Sequence, residues 1–433
     1  MKQKVFNVIL LAIFLSTSGF SQSFLEKVKN KASDAGSDLI VKKSKEKAEK
    51  TIDGTENKKE KNNESSQASS ANGQAVTEGS KTADKGIASY SKFDFVPGEN
   101  IVFYENFDQD VIGEFPLKWF TNGSAEVVTL EGMEGKWLKL VAGKILSPTV
   151  QLPTNFTLEY DLILDMPFDP NSNNIAAFPN WEFKMYDGGD KNLKLSYNDP
   201  KLNNMLSVTT SFYQKYADVK LEGVENKKTK IETVLDPSRL NGFNKNYNGG
   251  LVHVAITVQG ERLRIWYNEE KAVDIPVAVA INHNFNQIEF AAMKRAGEPA
   301  FYVGNIKFSE GKSDTRSKLM DEGKLVTTGI QFDSGSDKIK PVSYGILKEI
   351  ALAVRDNSLK IKIIGHTDNV GNNESNLSLS KRRAEAVKNI LVTDFQIDPS
   401  NIRTDGEGAS RPVGDNATNI GKAQNRRVEF IKE

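Results

Sequence analysis

Apolar and polar positions alternate through the middle of the chain. Five apolar side chains between positions 156 and 164 fall on one face of an extended chain: Phe156, Leu158, Tyr160, Leu162 and Leu164. The other face carries the polar residues Thr157, Glu159 and Asp161, and Asp165 follows on the same side. A second such run surrounds His253. This period of two is typical of β-strands. Short alternating segments separated by Gly, Asn, Asp and Pro therefore predict an all-β antiparallel sandwich over residues 92–310.

A transmembrane barrel is the competing interpretation, because its strands also alternate. Such strands run about 9–11 residues across a bilayer. Most of the candidate strands here are only four to six residues long, for example Val127–Leu130, Trp137–Val141, Trp181–Tyr186 and Ile231–Leu235. The lengths favour the sandwich, and an integral outer-membrane barrel stays as an alternative.

The last hundred residues have a different pattern. Apolar spacing of three and four predicts helices at 341–354 and 378–392. Between and around them lie short apolar runs that predict strands: 326–332, 359–365, 402–406 and 428–431. The β-α-β-α-β order predicts a small α/β layer with parallel pairings over residues 320–433.

The N-terminal residues have the order of a secretory signal peptide. Lys2 and Lys4 precede an apolar run, Val5–Leu15, that small and polar residues follow. The run of about 11 residues is shorter than the about 20 that a membrane helix needs. We expect cleavage after Ser21 or Gln22 and export of the remaining chain, with a retained N-terminal anchor as the alternative.

Between this peptide and the sandwich, the pattern predicts no packed domain. Residues 22–52 are rich in Lys, Glu and Ala with a short heptad-like stripe, which favours a charged, helical segment. Residues 53–91 lack large apolar side chains, so they cannot bury enough surface to fold and are predicted to be a flexible linker.

Composition narrows the function classes. A length of 433 residues suits two domains and a tail. Fifty-seven basic and 57 acidic residues cancel, which argues against a nucleic-acid-binding surface. Cysteine is absent, which excludes disulfides, thiolate metal sites and lipid attachment through cysteine, and three histidines leave little scope for a metal centre. We therefore predict no cofactor and no metal.

Two opposite charges stand out in the C-terminal segment. On the second predicted helix, Arg383 points about 50° from the centre of the apolar stripe, so its guanidinium needs a carboxylate or an anionic ligand. Asp368 lies in the Gly-containing loop that precedes this helix, at the carboxyl end of a strand, where ligands commonly bind. Either the two side chains flank one pocket for a zwitterion, or they form an internal salt bridge.

Several separated motifs around these residues resemble the OmpA-like peptidoglycan-binding domain. They are Gly365–Gly371, Asn376, Leu379–Val387 with Arg383, Gly406-x-Gly408, Pro412, Asn416 and Gly421–Glu429. The resemblance implies a pocket for the side-chain end of diaminopimelate in the peptide stem of peptidoglycan. It implies that Asp368 binds the ammonium and Arg383 the carboxylate. The rest of the pocket would be lined by Asn376, Arg426, Phe332 and Asp333. Backbone amides near Leu379 and Ser380 would act as extra donors.

The middle segment resembles concanavalin-like or laminin-G-like domains, through Phe107–Pro116 with Trp119 and the late Tyr302–Ile306. Glu159 and Asp161 have the i, i+2 spacing of glycosidase carboxylates, but solvated acids on an outer face are the simpler explanation. We expect the four tryptophans (Trp119, Trp137, Trp181 and Trp266) to be core residues rather than sugar-stacking surfaces. Oxygen ligands for calcium could come from Asn106, Asp108 and Asp110. Turn chemistry explains the same cluster equally well.

These observations predict a non-catalytic, exported protein at the periplasmic face of the outer membrane. Its C-terminal domain would bind peptidoglycan noncovalently. The sandwich would bind a polysaccharide or an outer-membrane protein. The alternative from another class is an envelope-anchored glycosidase that acts through Glu159 or Asp161. The oligomeric state does not follow from the sequence.

Overall fold

The structure is a computed structural model. It describes residues 93–164, 180–188, 203–212, 217–235, 251–293, 300–311 and 314–433. The predicted signal peptide (1–21), charged segment (22–52) and linker (53–91) lie outside these residues and stay predictions. We call residues 93–311 the sheet domain and residues 314–433 the C-terminal domain.

The sheet domain is antiparallel, as alternation predicted, and its described strands join in one large sheet. They are β1 Asn100–Glu105, β2 Phe120–Thr121, β3 Ser124–Val128, β4 Trp137–Leu146, β5 Asn155–Leu164, β6 Asn180–Tyr186, β7 Met205–Phe212, β8 Ala217–Glu225, β9 Lys228–Val234, β10 Leu251–Gln259, β11 Arg262–Tyr267, β12 Glu270–Ile275, β13 Gln287–Met293 and β14 Phe301–Glu310.

The sheet folds back on itself at β4. The first part of β4 pairs with β14 and its last part with β13, so the two halves of the sheet meet in one strand. Side chains from the two halves then pack against each other: the ring of Tyr160 on β5 lies 5.2 Å from that of Phe290 on β13. The Tyr267 hydroxyl on β11 lies 3.0 Å from Thr210 Oγ1 on β7. The two halves therefore enclose a single apolar core.

Alternation placed the inner face of β5 and β10 correctly, but the expectation of solvated acids on the outer face was wrong. The inward residues Phe156 and Leu158 are buried in the core. Glu159 and Asp161 point to the other face and are also buried, with 2% and 6% of their surfaces exposed. Chain from the C-terminal domain covers this face: Gln331 Nε2 donates to Glu159 Oε2 over 2.9 Å.

The tryptophans behave as core residues. All four are at most 3% exposed: Trp119, Trp137, Trp181 and Trp266. Trp119 and Trp181 belong to the core between the two halves, and Trp137 packs over Gly304 of β14. Trp266 packs on the outer face against the rings of Phe93 and Phe95. Burial excludes them as open sugar-stacking surfaces.

The C-terminal domain is a four-stranded sheet covered by helices. Its strands are β15 Lys324–Thr327, β16 Ile361–His366, β17 Ile402–Gly408 and β18 Val428–Lys432. Its longer helices are α1 Tyr344–Asp356, α2 Asn373–Thr393 and α3 Asn419–Asn425. Short helical turns occur at Thr315–Ser317, Lys318–Glu322, Pro341–Ser343 and Pro399–Asn401. Among the described residues, no helix is both long and apolar enough to cross a membrane.

The strand order β15-β18-β16-β17 corrects the prediction of parallel pairings. Only β16 and β17 are parallel among these described strands, because β18 inserts antiparallel between β15 and β16. The β16–α2–β17 unit is therefore the part that the βαβ pattern predicted correctly. The strand expected at 326–332 is shorter and earlier, and α2 begins five residues before the predicted start at position 378.

Two glycines allow α2 to lie directly on the sheet. A Cβ on Gly365 of β16 would lie 2.2 Å from the carbonyl oxygen of Ser380, and one on Gly406 of β17 would lie 2.4 Å from the amide nitrogen of Lys381. Contacts that short do not occur, so a side chain at either position would push the helix away. This close approach fixes the distance between the sheet and Arg383, which lies one turn further along α2.

The two domains belong to one compact unit. Residues 93–99 run between them: Phe95 packs on Trp266 of the sheet domain, and a Cβ on Gly345 of α1 would lie 1.9 Å from the Phe95 carbonyl oxygen. Lys318 pairs with Glu99 at the other end of this segment. Strand β1 also packs against α3. The sheet domain therefore lies against the C-terminal domain beside the predicted pocket.

Candidate binding site

Asp368 is held in place by the loop between β16 and α2. The helix starts with a cap at Asn372, whose side chain accepts from Ser375 N over 2.7 Å. Inside the first turn, Asn376 Nδ2 donates to the carbonyl oxygens of Asp368 and Val370 over 3.3 and 3.0 Å. Val370 N in turn donates to Asp368 Oδ1 over 3.1 Å. Asn376 lines the cavity described below, but its amide nitrogen is used to fix this loop.

Arg383 reaches the loop that follows Phe332. Its Nε donates to the Ser336 carbonyl over 2.9 Å, and its Nη2 lies 3.5 Å from the Asp333 carbonyl. The guanidinium stands 4.7 Å from the centre of the Phe332 ring. Burial and the neighbouring Arg426 lower the pKa of Arg383. The side chain is thus half-buried, cationic and pre-positioned by carbonyl groups, with capacity for an anionic ligand.

Asp368 does form an internal salt bridge, but its partner is Arg426 and not Arg383. Arg426 Nη1 donates to Asp368 Oδ2 over 2.7 Å. Burial opposes the charge of Arg426, but Tyr104 and Asp368 together raise its pKa. Its guanidinium also lies 5.6 Å from the centre of the Tyr104 ring of the sheet domain. Asp368 and Arg383 therefore remain two separate charges on one cavity.

Phe332 and Asp333 form the other rim. Phe332 bridges to Ile339, and Asp333 N donates to the Lys338 carbonyl over 2.9 Å, which closes a tight turn. The Asp333 carboxylate lies 3.2 Å from Lys338 Nζ. The Phe332 ring packs partly into the core of the C-terminal domain. This rim fixes the position of the Arg383 guanidinium.

The structure corrects the expectation that the backbone amides near Leu379 and Ser380 donate to a ligand. Because α2 begins at Asn373, both residues lie in its interior, where amides bond to carbonyls four residues earlier. Leu379 lines the cavity with its side chain. Ser380 is buried and fastens the helix to β17, since its hydroxyl donates to the Leu377 carbonyl and accepts from Gly408 N.

His366 lies at the end of β16, next to the site. Burial and the nearby Arg427 lower its pKa to about 4, so the imidazole is neutral at pH 7. Arg427 donates to Glu429 through two nitrogens, over 2.9 and 2.7 Å, and Glu429 also pairs with Lys324. His366 is therefore buried and neutral beside this group of ion pairs.

The site opens into a cavity of about 980 Å³. One wall belongs to the C-terminal domain and includes Phe332, Asp368, Arg383 and Arg426. The opposite wall belongs to the sheet domain and includes Tyr104, Glu159, Asp161, His253, Asn305 and Lys307. The cavity therefore lies in a cleft between the two domains.

The sheet-domain wall carries a buried charge cluster on β5, β10 and β14. His253 Nδ1 donates to Asp161 Oδ1 over 2.7 Å, and Lys307 Nζ lies 2.8 Å from Glu159 Oε1. Burial opposes ionisation, but the carboxylates Asp161 and Glu159 raise the pKa of His253 to about 9. Burial likewise opposes the charge of Glu159, while Lys307 and His253 lower its pKa to about 2. Two acids and two cations thus balance at neutral pH.

Sequence reasoning missed this second wall. Tyr104 was not singled out, although it lies on the outward face of β1, between the inward residues Phe103 and Glu105. Its neighbour on the same face, Val102, is apolar, so the alternation in β1 carried no signal for Tyr104. Nothing in the pattern indicated that the C-terminal domain covers that face.

The possible calcium ligands lie in a turn that is held by its own hydrogen bonds. Lys136 Nζ donates to the carbonyl oxygens of Asp108 and Asp110 over 2.9 and 2.7 Å, and Asp108 N donates to Asn106 Oδ1 over 3.3 Å. In the described part of the chain, no group of three or more His, Asp or Glu side chains has the geometry of a metal site.

Comparison with known proteins locates the similarity in the C-terminal domain. The OmpA family model matches residues 331–426. Outer membrane porin F of Pseudomonas fluorescens is 44% identical over 109 residues, which are 25% of this chain and 33% of that protein. Outer-membrane lipoprotein YfiB of Pseudomonas aeruginosa is 37% identical over 117 residues, 26% of this chain and 69% of the lipoprotein.

The chain thus spans about a third of the length of the porin F relatives. Among solved structures, the peptidoglycan-associated lipoprotein from Burkholderia pseudomallei has 26% sequence identity and a TM-score of 0.23, and the match covers 27% of this chain and 93% of that one.

Proposed function

Because this chain belongs to the OmpA family, we propose that its C-terminal domain, residues 320–433, binds peptidoglycan noncovalently through the diaminopimelate of the peptide stem. The observation that carries the proposal is that Asp368 and Arg383, opposite charges from different elements, line one cavity without pairing to each other. A zwitterionic amino-acid end needs such a pair. The names of the relatives, an outer membrane porin and an outer-membrane lipoprotein, support a location in the cell envelope.

The present partners of Asp368 leave room for a ligand ammonium. Each of its carboxylate oxygens accepts one hydrogen bond, from Val370 N or from Arg426, and a carboxylate has about four acceptor sites. The ammonium would add to these bonds without replacing them. The ligand carboxylate would approach Arg383 on the side opposite to its carbonyl contacts, where a forked guanidinium can donate two bonds.

The test is sedimentation of the full chain with purified peptidoglycan sacculi. We expect Asp368→Ala and Arg383→Ala to lower the affinity about 30-fold or more, since removing one partner of a buried charge pair costs about 2 kcal/mol or more. Asp356→Ala and Arg403→Ala are matched controls, because both residues are exposed and away from the cavity. Unchanged pelleting of both site variants would sink the proposal.

The sheet domain is proposed to have a non-catalytic, binding role. Glycoside hydrolysis needs one protonated acid, usually a carboxyl of raised pKa. Here, in both cases against the effect of burial, Lys307 and His253 lower the pKa of Glu159, and His253 and Asn305 lower the pKa of Asp161. We expect no reducing sugar to be released from a polysaccharide panel. Release that Glu159→Gln abolishes would favour the glycosidase. The likeness to concanavalin-like domains and the identity of an outer-membrane partner stay predictions.

A further inference from the structure

The cleft is larger than the ligand group assigned to it. Its volume of about 980 Å³ is at the upper end of the ~300–1,000 Å³ that hold drug-sized ligands. The ammonium and carboxylate of one amino-acid end occupy only the part next to Asp368 and Arg383. The remainder of the cavity is bounded by the sheet domain.

The backbone of the sheet domain is shaped to turn polar side chains towards this space. Pairing of β14 with β5 shifts register between Gly304 and Lys307, and Asn305 adopts φ 50°. The shift keeps Ile306 and Phe308 in the core and places Asn305 and Lys307 on the cleft. Such bulges commonly re-aim side chains beside functional sites.

Polar groups on this wall are anchored yet have capacity for a ligand. Asn305 is exposed in the cleft, with Nδ2 donating to Asp161 Oδ2 over 2.7 Å. His253 is 9% exposed, and its Nε2 has no hydrogen-bond partner in the described structure; the nearest acid atom, Glu159 Oε2, lies at 3.4 Å. His253 Nε2 therefore has an ion pair but no hydrogen bond, and a bound polar group that accepts one would recover free energy.

We propose that the sheet-domain wall is a second subsite of the same cleft, which binds the amide and carboxylate groups of the stem peptide adjoining diaminopimelate. The inference rests on the proposed function. Tyr104 joins the two subsites, because its ring lies under Arg426, the partner of Asp368. A stem whose ammonium binds Asp368 therefore continues past Tyr104 towards Asn305 and His253.

The experiment measures calorimetric binding of the full chain to two probes, free meso-diaminopimelate and a soluble stem tripeptide that ends in it. Asn305→Gly removes the amide and keeps a residue that tolerates the positive φ. Tyr104→Phe removes only the hydroxyl. We expect Asn305→Gly to weaken tripeptide binding about fivefold to tenfold and diaminopimelate binding less than twofold, and Tyr104→Phe to weaken tripeptide binding by as much. Asn226→Gly is the matched control, since Asn226 also has a positive φ (51°) but lies at the β8–β9 turn, away from the cleft.

Unchanged tripeptide affinity in both variants would overturn the second subsite, and so would tighter binding, which would mean that the wall obstructs the cleft. Asp368→Ala separates this result from failure of the proposed function. If Asp368→Ala weakens both probes and the wall variants weaken neither, only the second subsite fails. If Asp368→Ala weakens neither probe, the diaminopimelate site itself is wrong. Retained diaminopimelate binding also shows that a wall variant is folded.

Discussion

At the scale of single residues, the guanidinium of Arg383 does more than supply a positive charge. It stacks on Phe332 and donates to the Ser336 carbonyl, so its planar shape is used on two sides. We expect Arg383→Lys to keep the charge but weaken binding to sacculi about tenfold, because an ammonium cannot reproduce this geometry. Arg403→Lys, at an exposed position on β17, is the control. Equal binding by Arg383→Lys and wild type would contradict the assigned geometry.

Because of His253, the stability of the folded protein decreases as the pH becomes alkaline. Its pKa is raised from 6.5 to about 9 in the folded protein, so its ion pairs contribute fully below pH 6.5. Between pH 6.5 and 9 the unfolded chain has already lost the proton, and the contribution disappears. We expect wild type to lose on the order of 3 kcal/mol more stability than His253→Gln over this range. Denaturant unfolding measured at both pH values tests this, and parallel curves would contradict it.

The sequence located some site residues and missed others for physical reasons. Helical periodicity alone placed Arg383 on the inward side of α2, and strand order placed Asp368 beside it. The Arg426–Asp368 pair depends on how α3 and β18 return to the site, which periodicity does not contain. Alternation identified the face that holds Glu159, but a sequence pattern cannot say which domain will cover that face.

At the scale of elements, the first turn of α2 controls the loop of Asp368. The Asn372 cap satisfies Ser375 N, and the same turn holds Asn376 against the loop carbonyls. We expect Asn372→Ala to lower the free energy of unfolding by about 1 kcal/mol and to weaken binding to sacculi, whereas Asn372→Ser retains a capping oxygen and both properties. Thermal unfolding and sedimentation measure the two effects. A binding loss as large in Asn372→Ser as in Asn372→Ala would exclude capping as the cause.

The contact between α2 and the sheet gives a second prediction at this scale. In Gly365→Ala the new methyl group would meet the Ser380 carbonyl, and the helix would have to move. Overpacking of this kind costs about 1–3 kcal/mol. We therefore expect a lower melting temperature and weaker stem binding, because Arg383 moves with the helix. A variant as stable as wild type would show that the layers are less tightly packed than described.

Element boundaries were the least predictable part of the fold. The prediction began α2 at position 378 because the preceding residues 373–377 are mostly polar and show no apolar stripe. The cap at Asn372 overrode that pattern. The predicted parallel sheet failed for a different reason: the final strand, β18, could pair with either neighbour, and tertiary packing placed it between β15 and β16.

At the scale of the whole molecule, residues 93–99 connect the two domains. Phe95 is 1% exposed and lies between Trp266 and α1. Truncating a buried phenylalanine costs about 3–5 kcal/mol. We expect wild type to unfold in one calorimetric transition and Phe95→Ala to unfold in two. A single transition in the variant would mean that other contacts suffice to couple the domains.

The sequence predicted two domains but gave no sign of this seam. Phe93, Phe95 and Trp266 have the composition of ordinary core residues, and the segment that carries them was assigned to the sandwich. Only the folded arrangement shows that they form a separate cluster on the outer face.

If the protein binds the cell wall as proposed, the contact of Tyr104 with Arg426 has a mechanical consequence. Arg426 touches the sheet domain on one side and, on the other, Asp368, the carboxylate proposed to bind the ligand ammonium. Any ligand that stabilises this arrangement must, by thermodynamic reciprocity, also strengthen the grip of one domain on the other. In a molecule bound to peptidoglycan, the two domains would therefore separate less readily under tension in the envelope than in an unbound molecule.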